Sequence, residues 1–164
     1  MLAQSDEAYM SAALEEAKKA FSAGEVPVGA VIVYQGEIIA RAHNLVEQRK
    51  DASAHAEMLA LREAAKNLDN WRLHEAALYC TLEPCAMCAG AMILSRLSFL
   101  IWAAPDLRHG AHGSWINLLD LQHPIHNLQV RSGVCAKEAS ALMKEFFQKR
   151  RTFSPNSSQD ICRS

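Results

Sequence analysis

Two short segments constrain the fold of this chain more than any other part of its sequence. One contains Cys85 and Cys88, spaced as Cys-x-x-Cys directly after Pro84, and the other contains His55 and Glu57 far upstream. A Cys-x-x-Cys pair alone fits a redox pair, half of a structural zinc site or half of a catalytic zinc site. If the two segments act together, the fold must bring them to one point.

Composition limits the class of protein. The 164 residues suit one domain, and a formal net charge of -1 gives no indication of a nucleic-acid partner. The start of the chain lacks a basic region followed by an apolar run, and the uncharged run 84–95 is too short to span a bilayer. An odd number of cysteines favours metal binding or catalysis over disulfides. We therefore expect a cytoplasmic protein without membrane association.

Hydrophobic periodicity predicts helices alternating with strands. Helices are predicted in 5–27, 54–68, 85–95 and 137–151, and strands in 28–44 (a hairpin turning at 35–36), 76–83, 97–104 and 127–133. This order predicts an α/β fold with helices on both faces of one sheet. One domain is expected over 1–151, followed by a disordered tail over 152–164.

The predicted helix at 85–95 carries no charge. A helix that is apolar nearly all round is buried on more than one side. One side can pack on the sheet and the other on a second subunit, so we expect a homo-oligomer. The alternative is a core helix that is covered entirely within one chain.

His55, Cys85 and Cys88 provide three candidate metal ligands, each at or near a predicted helix start, where the helix dipole favours thiolate. Catalytic zinc keeps three protein ligands and leaves a fourth position for water. Zinc lowers the pKa of that water toward about 7, which gives hydroxide at neutral pH. One zinc ion per subunit is predicted.

Glu57 is the predicted catalytic acid/base. It lies two residues after His55, and such positions do not face each other on a helix. Glu57 can therefore point into a pocket beside the metal without binding it. There it can move protons from the water to the substrate ring and the leaving group.

Other arrangements of these residue types stay open. A structural zinc site using Cys80 and Cys135 is possible, but it leaves His55 and Glu57 without a role. The histidine pairs 109/112 and 123/126 also have ligand-like spacing, but both fall in predicted loops, where solvated histidines are the simpler reading.

The combination of His-x-Glu with a later Pro-Cys-x-x-Cys is the signature of zinc-dependent nucleobase and nucleoside deaminases. The chain also resembles one family in particular, the bacterial tRNA-specific adenosine deaminases of the cytidine deaminase superfamily, over about residues 8–151. The segments that carry this resemblance are EVPVGAVIV, ASAHAEMLALREAA, ALYCTLEPCAMCAGAMILSR, HGAHGS and FFQKRR.

The resemblance implies a three-layer fold with a five-stranded mixed sheet between helices, and a homodimer. It implies a hydrolase acting on a cyclic amidine C–N bond. The reaction would convert the wobble adenosine of a tRNA anticodon stem-loop, in an arginine tRNA, to inosine through the zinc-activated hydroxide.

The resemblance also implies roles for four residues around the base. Asn44 would hydrogen-bond the adenine ring, and the backbone N–H of Ala56 would contact the base. The carbonyl of Pro84 would face the leaving amine. Asp106 would lie near the adjoining ribose, where a carboxylate accepting from a 2′-hydroxyl favours RNA over DNA.

The basic, aromatic segment 144–151 is expected to contact RNA, with Phe147 stacking on an unpaired base and Arg150 supplying positive charge. The alternative is an amphipathic helix with a solvated basic end. The chain departs from the family pattern at His43, Pro105, Arg108 and His109, which puts detailed anticodon contacts in question.

Two other functions are alternatives for a chain with these residues. One is a deaminase of a free base or nucleoside, of the guanine or cytidine type. The other is a zinc-stabilised RNA-binding protein without turnover, against which the presence of Glu57 argues.

Overall fold

The computed structural model describes residues 5–153. The predicted tail lies outside the described residues except for positions 152 and 153, which continue the last helix, and Cys162 lies outside them as well. The helices are α1 (Asp6–Ser22), α2 (Val46–Arg49), α3 (Ala56–Asn67), α4 (Ala86–Leu94) and α5 (Ala136–Phe153). The strands are β1 (Gly29–Tyr34), β2 (Glu37–His43), β3 (Ala77–Leu82), β4 (Phe99–Ala104) and β5 (Gln129–Ser132).

The strands form one mixed sheet in the order β2-β1-β3-β4-β5. Strand β1 is antiparallel to both of its neighbours, while β3, β4 and β5 run parallel. The predicted hairpin is confirmed, because Gln35 and Gly36 have φ angles of 51° and 82°. Two successive left-handed residues are the turn that matches the twist of paired strands.

Helices cover both faces of the sheet, which confirms the three-layer α/β architecture. Alternating residues of β1 point to opposite sides, with Val31 and Val33 toward α1 and Ala30 and Ile32 toward α3. Helix α5 packs with α1 against one face, and α4 packs with α3 on the other. The candidate metal ligands lie on the α3 and α4 side.

Helix α1 approaches the start of β1 very closely. A Cβ atom at Gly29 would lie 2.0 Å from the carbonyl oxygen of Ala13 and 2.5 Å from the backbone nitrogen of Ala17. Both neighbours are backbone atoms that cannot turn aside, so glycine is required at this contact.

Helix α4 is buried on one side only within a single chain. Cys88 and Met92 are fully buried against the sheet and α3. The opposite side is an apolar stripe of Met87, Gly90, Ala91 and Leu94, in which Leu94 is 65% exposed. The alternative of a core helix covered entirely by its own chain is therefore wrong.

The carboxyl ends of β3 and β4 meet at one edge of the sheet because these strands are parallel neighbours. The chain continues from β3 through Glu83 and Pro84 into α4, and from β4 into a long connection, 105–128, that precedes β5. A crevice outside the carboxyl ends of parallel strands is the usual ligand site of such sheets. None of the helices described between residues 5 and 153 combines the length and apolarity needed to cross a membrane.

Candidate metal centre and substrate cavity

Two helix starts bring the candidate ligands together. His55 is the N-cap residue of α3, Cys85 is the N-cap residue of α4, and Cys88 lies in the first turn of α4. The Nδ1 atom of His55 lies 3.6 Å from the Sγ atom of each cysteine. Bond lengths of about 2.0–2.1 Å from zinc to nitrogen and about 2.3 Å to sulfur, at a tetrahedral angle, separate the two donors by about 3.6 Å. The three side chains therefore fit one tetrahedral zinc ion.

The two thiols differ in proton affinity. A hydrogen bond from the Cys88 thiol, supported by one from His55, lowers the pKa of Cys85 to about 4 in spite of its burial. The same pairing with Cys85, together with burial, raises the pKa of Cys88 above its usual value. Cys85 is thus a thiolate at neutral pH, the form that binds a metal.

No second group of this kind supports the alternative metal sites. Among the residues the structure describes, His55, Cys85 and Cys88 form the only cluster of three or more His, Cys, Asp or Glu ligands. Cys80 is buried in β3 and donates to the Leu82 carbonyl. A site built from Cys80 and Cys135 is therefore not present in residues 5–153.

Glu57 is buried beside the ligands, with 3% of its surface exposed. Burial raises its pKa from 4.5 to about 7. A carboxyl group with such a pKa is partly protonated near neutral pH, so it can both accept and return a proton. Its place in the first turn of α3, two residues after His55, keeps it out of the donor cluster itself.

A cavity of about 830 Å³ opens beside His55, Glu57 and Cys85. Its volume suits a ligand of nucleoside size. Of the predicted substrate residues, Asn44, Asp106 and Phe147 line it. The remaining lining comes from Glu25, Val26, Val28, Val46, Glu47, Ala52, Leu82, Glu83, Met87, Ala104, Pro105, Leu107, Arg108, His109, Ser140 and Met143.

Asn44 and Asp106 present polar groups to this cavity. Asn44 is 8% exposed and lines the cavity. Asp106 uses Oδ1 to accept from the backbone N–H groups of Arg108 and His109, at 3.0 and 3.3 Å. It is therefore a turn aspartate that also faces the cavity.

Ala56 and Pro84 offer backbone groups next to the ligands. Ala56 is the first residue of α3, so its N–H has no intrahelical acceptor. The Pro84 carbonyl accepts from the Ala111 N–H at 2.8 Å. One lone pair of that oxygen is left for a ligand, because a carbonyl has two.

The two predicted RNA contacts on α5 lie in different places. Phe147 is 41% exposed and lines the main cavity. Arg150 stacks over Phe146, 5.5 Å from the ring centroid, and borders a second depression of about 340 Å³ with Lys149 and Phe153.

Several loop residues differ from expectation. The prediction of solvated histidines is wrong for His112, whose Nδ1 accepts from Trp102 Nε1 at 3.2 Å, and for His126, which bonds the Leu97 carbonyl. His43, one of the departures from the family pattern, lies 3.1 Å from a carboxylate oxygen of Glu16. The other departures, at 105, 108 and 109, all line the cavity.

Sequence reasoning missed two buried carboxylates, Glu25 and Glu83, each 1% exposed and each lining the cavity. Glu25 accepts from the backbone N–H groups of Glu47 and Gln48, at 3.1 and 2.7 Å, and so caps the start of α2. No local pattern reveals such a contact, since the partners lie more than twenty positions away. The only available signal was an acidic residue inside an otherwise apolar stretch.

The chain is similar to known deaminases. A family model, MafB19-like deaminase, matches residues 4–151. The tRNA-specific adenosine deaminase of Bacillus subtilis (strain 168) is 51% identical over 146 residues, which cover 89% of this chain and 91% of that protein. The chloroplastic tRNA(adenine(34)) deaminase of Arabidopsis thaliana is 48% identical over 161 residues, which cover 88% of this chain but 12% of that longer protein.

Solved structures share the fold. One from a study of A-to-I editing by tRNA:A34 deaminases at the wobble position of transfer RNA has a TM-score of 0.79 and 38% identity, and covers 82% of this chain and 98% of that chain. One from a study of guanine deaminase from Nitrosomonas europaea has a TM-score of 0.72 and 26% identity, and covers 87% and 84%. Both identity and fold similarity are greater for the tRNA deaminase.

Proposed function

We propose that this chain, which belongs to the tRNA-specific adenosine deaminases and to the MafB19-like deaminase family, deaminates adenosine to inosine at the wobble position of a tRNA anticodon. The observation that carries the proposal is one cluster: a His/Cys/Cys donor set with zinc spacing beside a buried Glu57, opening on a nucleoside-sized cavity. A binding protein needs no such acid/base group, which argues against the reading without turnover.

We assign the metal as zinc, one ion per subunit, held by His55, Cys85 and Cys88. Zinc bound there would lower the pKa of a bound water toward neutrality and so supply the nucleophile for C6 of adenine. Glu57 would carry one proton of that water to the ring nitrogen N1, and then the second, from the hydroxyl on C6, to the amino group, which leaves as ammonia. Its pKa of about 7 suits both directions of transfer.

The cavity walls orient the base. Asn44, which lines the cavity, pairs with the adenine ring, and the Ala56 N–H contacts the base. The free lone pair of the Pro84 carbonyl receives the leaving amine. Asp106 accepts from a ribose 2′-hydroxyl, which makes the site favour RNA over DNA.

The rest of the anticodon loop lies along α5. Phe147 stacks on an unpaired base at the cavity rim, and Arg150 attracts the phosphate backbone near the second depression. An anticodon loop is single-stranded, so its bases unstack at small cost. We propose an arginine tRNA as the substrate and the cytoplasm, where tRNA is used, as the location.

We further propose a homodimer formed through α4. The stripe of Met87, Gly90, Ala91 and Leu94 is apolar, and its small central residues allow a second helix to approach closely. An exposed apolar stripe of this kind is typical of an interface. Since α4 carries Cys88 on its opposite side, the dimer contact would hold the helix that bears this ligand.

The test is inosine formation on an RNA anticodon stem-loop with adenosine at the wobble position. The same stem-loop in DNA, and free adenosine, cytidine and guanine, are assayed in parallel. Conversion of the RNA far ahead of the other substrates is expected. Conversion of a free base or nucleoside alone would retain the metal chemistry and replace the substrate, while zinc binding without any conversion would favour a binding protein.

A further inference from the structure

The buried carboxylate of Glu83 contacts the segment that forms one wall of the cavity. Its Oε2 accepts from the Asp106 N–H at 3.1 Å, and its Oε1 accepts from the N–H groups of His112 and Ser114 at 2.9 and 3.2 Å. The Ser114 hydroxyl donates a further hydrogen bond to Oε2. One side chain therefore holds residues 106–114 at three points.

The Glu83 carboxylate accepts all four of these hydrogen bonds and donates none, which is the pattern of an ionised carboxylate. Among residues 5–153, no basic side chain forms an ion pair with Glu83. The negative charge is thus stabilised by N–H and O–H donors of the segment itself, so moving the segment away would leave a buried charge unsatisfied.

The close approach is built into the sequence at Gly110. A Cβ atom there would lie 2.3 Å from Cδ and 2.5 Å from each carboxylate oxygen of Glu83. The backbone adds two ties at the same place, from the Ala111 N–H to the Pro84 carbonyl and through a bridge between Gly110 and Cys85. The segment lies directly on the turn that carries the metal ligand.

We propose that Glu83 is a positioning residue that fixes the wall 105–109 relative to the metal centre and thereby sets the affinity for the RNA substrate through Asp106. The inference rests on the proposed function for its substrate, but the anchoring itself rests on the contacts alone. Glu83 is followed by Pro84 and Cys85, so one short turn joins the metal site to the wall that faces the ribose.

The first test is Glu83→Gln, which keeps the length of the side chain but loses the charge and one acceptor oxygen. kcat/KM on the RNA stem-loop should fall on the order of 10- to 100-fold, mainly through KM, with zinc content unchanged. Gly110→Ala should give the same result with the carboxylate intact, and it replaces the first variant if that one fails to fold. Met10→Ala is the control. Met10 is fully buried on the opposite face of the sheet, so its substitution should lower the stability of the fold without touching the wall.

Two readouts separate positioning from general destabilisation. Amide hydrogen exchange at Asp106, His112 and Ser114 should speed up in Glu83→Gln and in Gly110→Ala but not in Met10→Ala. On an Asp106→Ala background, Glu83→Gln should add little further loss in kcat/KM. Both changes act on the same contact, the one between the Asp106 carboxylate and the RNA. Unchanged exchange rates, or fully additive losses, would overturn the proposal. Failure of the wild-type protein to convert RNA would reject the proposed function alone, because the exchange rates test the anchoring independently.

Discussion

Replacing Glu57 by glutamine should slow catalysis by orders of magnitude while stabilising the fold at alkaline pH. The carboxyl is 3% exposed, and burial raises its pKa from 4.5 to about 7. The folded state therefore binds this proton more tightly than the unfolded state does. The stability that the Glu57 proton contributes is fully present below pH 4.5 and is lost as the pH rises through 7. The interval between 4.5 and about 7, at about 1.4 kcal/mol per pH unit, corresponds to about 3.5 kcal/mol at most.

The stability arm uses protein stripped of metal, because a bound cation lowers the pKa of a neighbouring carboxyl. Urea denaturation at pH 8 should show Glu57→Gln to be more stable than the wild type by up to about 3.5 kcal/mol, and the difference should vanish near pH 4. Glu63→Gln is the matched control, since Glu63 is exposed on the same helix α3 and should change stability little at either pH.

The activity arm uses the zinc-loaded protein and the RNA stem-loop. Glu57→Gln should lose about 10²–10⁴-fold in turnover with zinc content retained, because the amide cannot carry the proton. The Glu63→Gln control should turn over like the wild type. Near wild-type turnover of Glu57→Gln would refute the acid/base role, and equal stability at pH 8 and pH 4 would refute the electrostatic argument.

Four further predictions test the metal, the fold, the RNA contact and the dimer. Cys88→Ser should lose bound zinc, measured per chain by elemental analysis, because a hydroxyl is a poor zinc ligand beside a thiolate. Gly29→Ala should lower the free energy of unfolding by about 1–3 kcal/mol or more in urea titrations, since the new methyl would lie 2.0 Å from the Ala13 carbonyl. Arg150→Ala should reduce the slope of log affinity against log salt by about 1 in RNA titrations, and an unchanged slope would exclude a phosphate contact. Leu94→Glu should convert a dimer to a monomer in analytical ultracentrifugation, because it places a charge in the apolar stripe.

The sequence predicted most of the fold because local patterns determine most of its elements. Helix α1, Asp6–Ser22, lies within the predicted helix 5–27, and the hairpin turns at Gln35 and Gly36, as expected. The order of strands and helices was sufficient for a layered α/β fold. The donor cluster was also predictable, because its residue types and its places at helix starts are visible without long-range contacts.

The rest of the site depends on contacts between distant parts of the chain. Helix α2 has four residues and is capped by Glu25, which lies before β1, so its own sequence gives no helical signal. The connection 105–128 takes its shape from Glu83, and from His112 with Trp102, rather than from its own periodicity. His112 is half-buried because it contacts Trp102, and His126 because it contacts the Leu97 carbonyl. The spacing of these histidines in the sequence does not reveal either contact.

The candidate site has two parts that can vary separately, because one is positioned by local structure at helix starts and the other by a contact between distant residues. His55, Cys85 and Cys88 are placed by backbone at two helix starts, so their geometry follows from the layered fold itself. The wall at 105–109 is placed by one buried carboxylate acting mostly on backbone N–H groups. Backbone donors are the same for every residue type except proline, so the anchor tolerates changes in the side chains along the wall. We therefore expect substitutions at 105, 108 and 109 to alter what the cavity faces while leaving these donors in place, and so to change substrate choice rather than the chemistry.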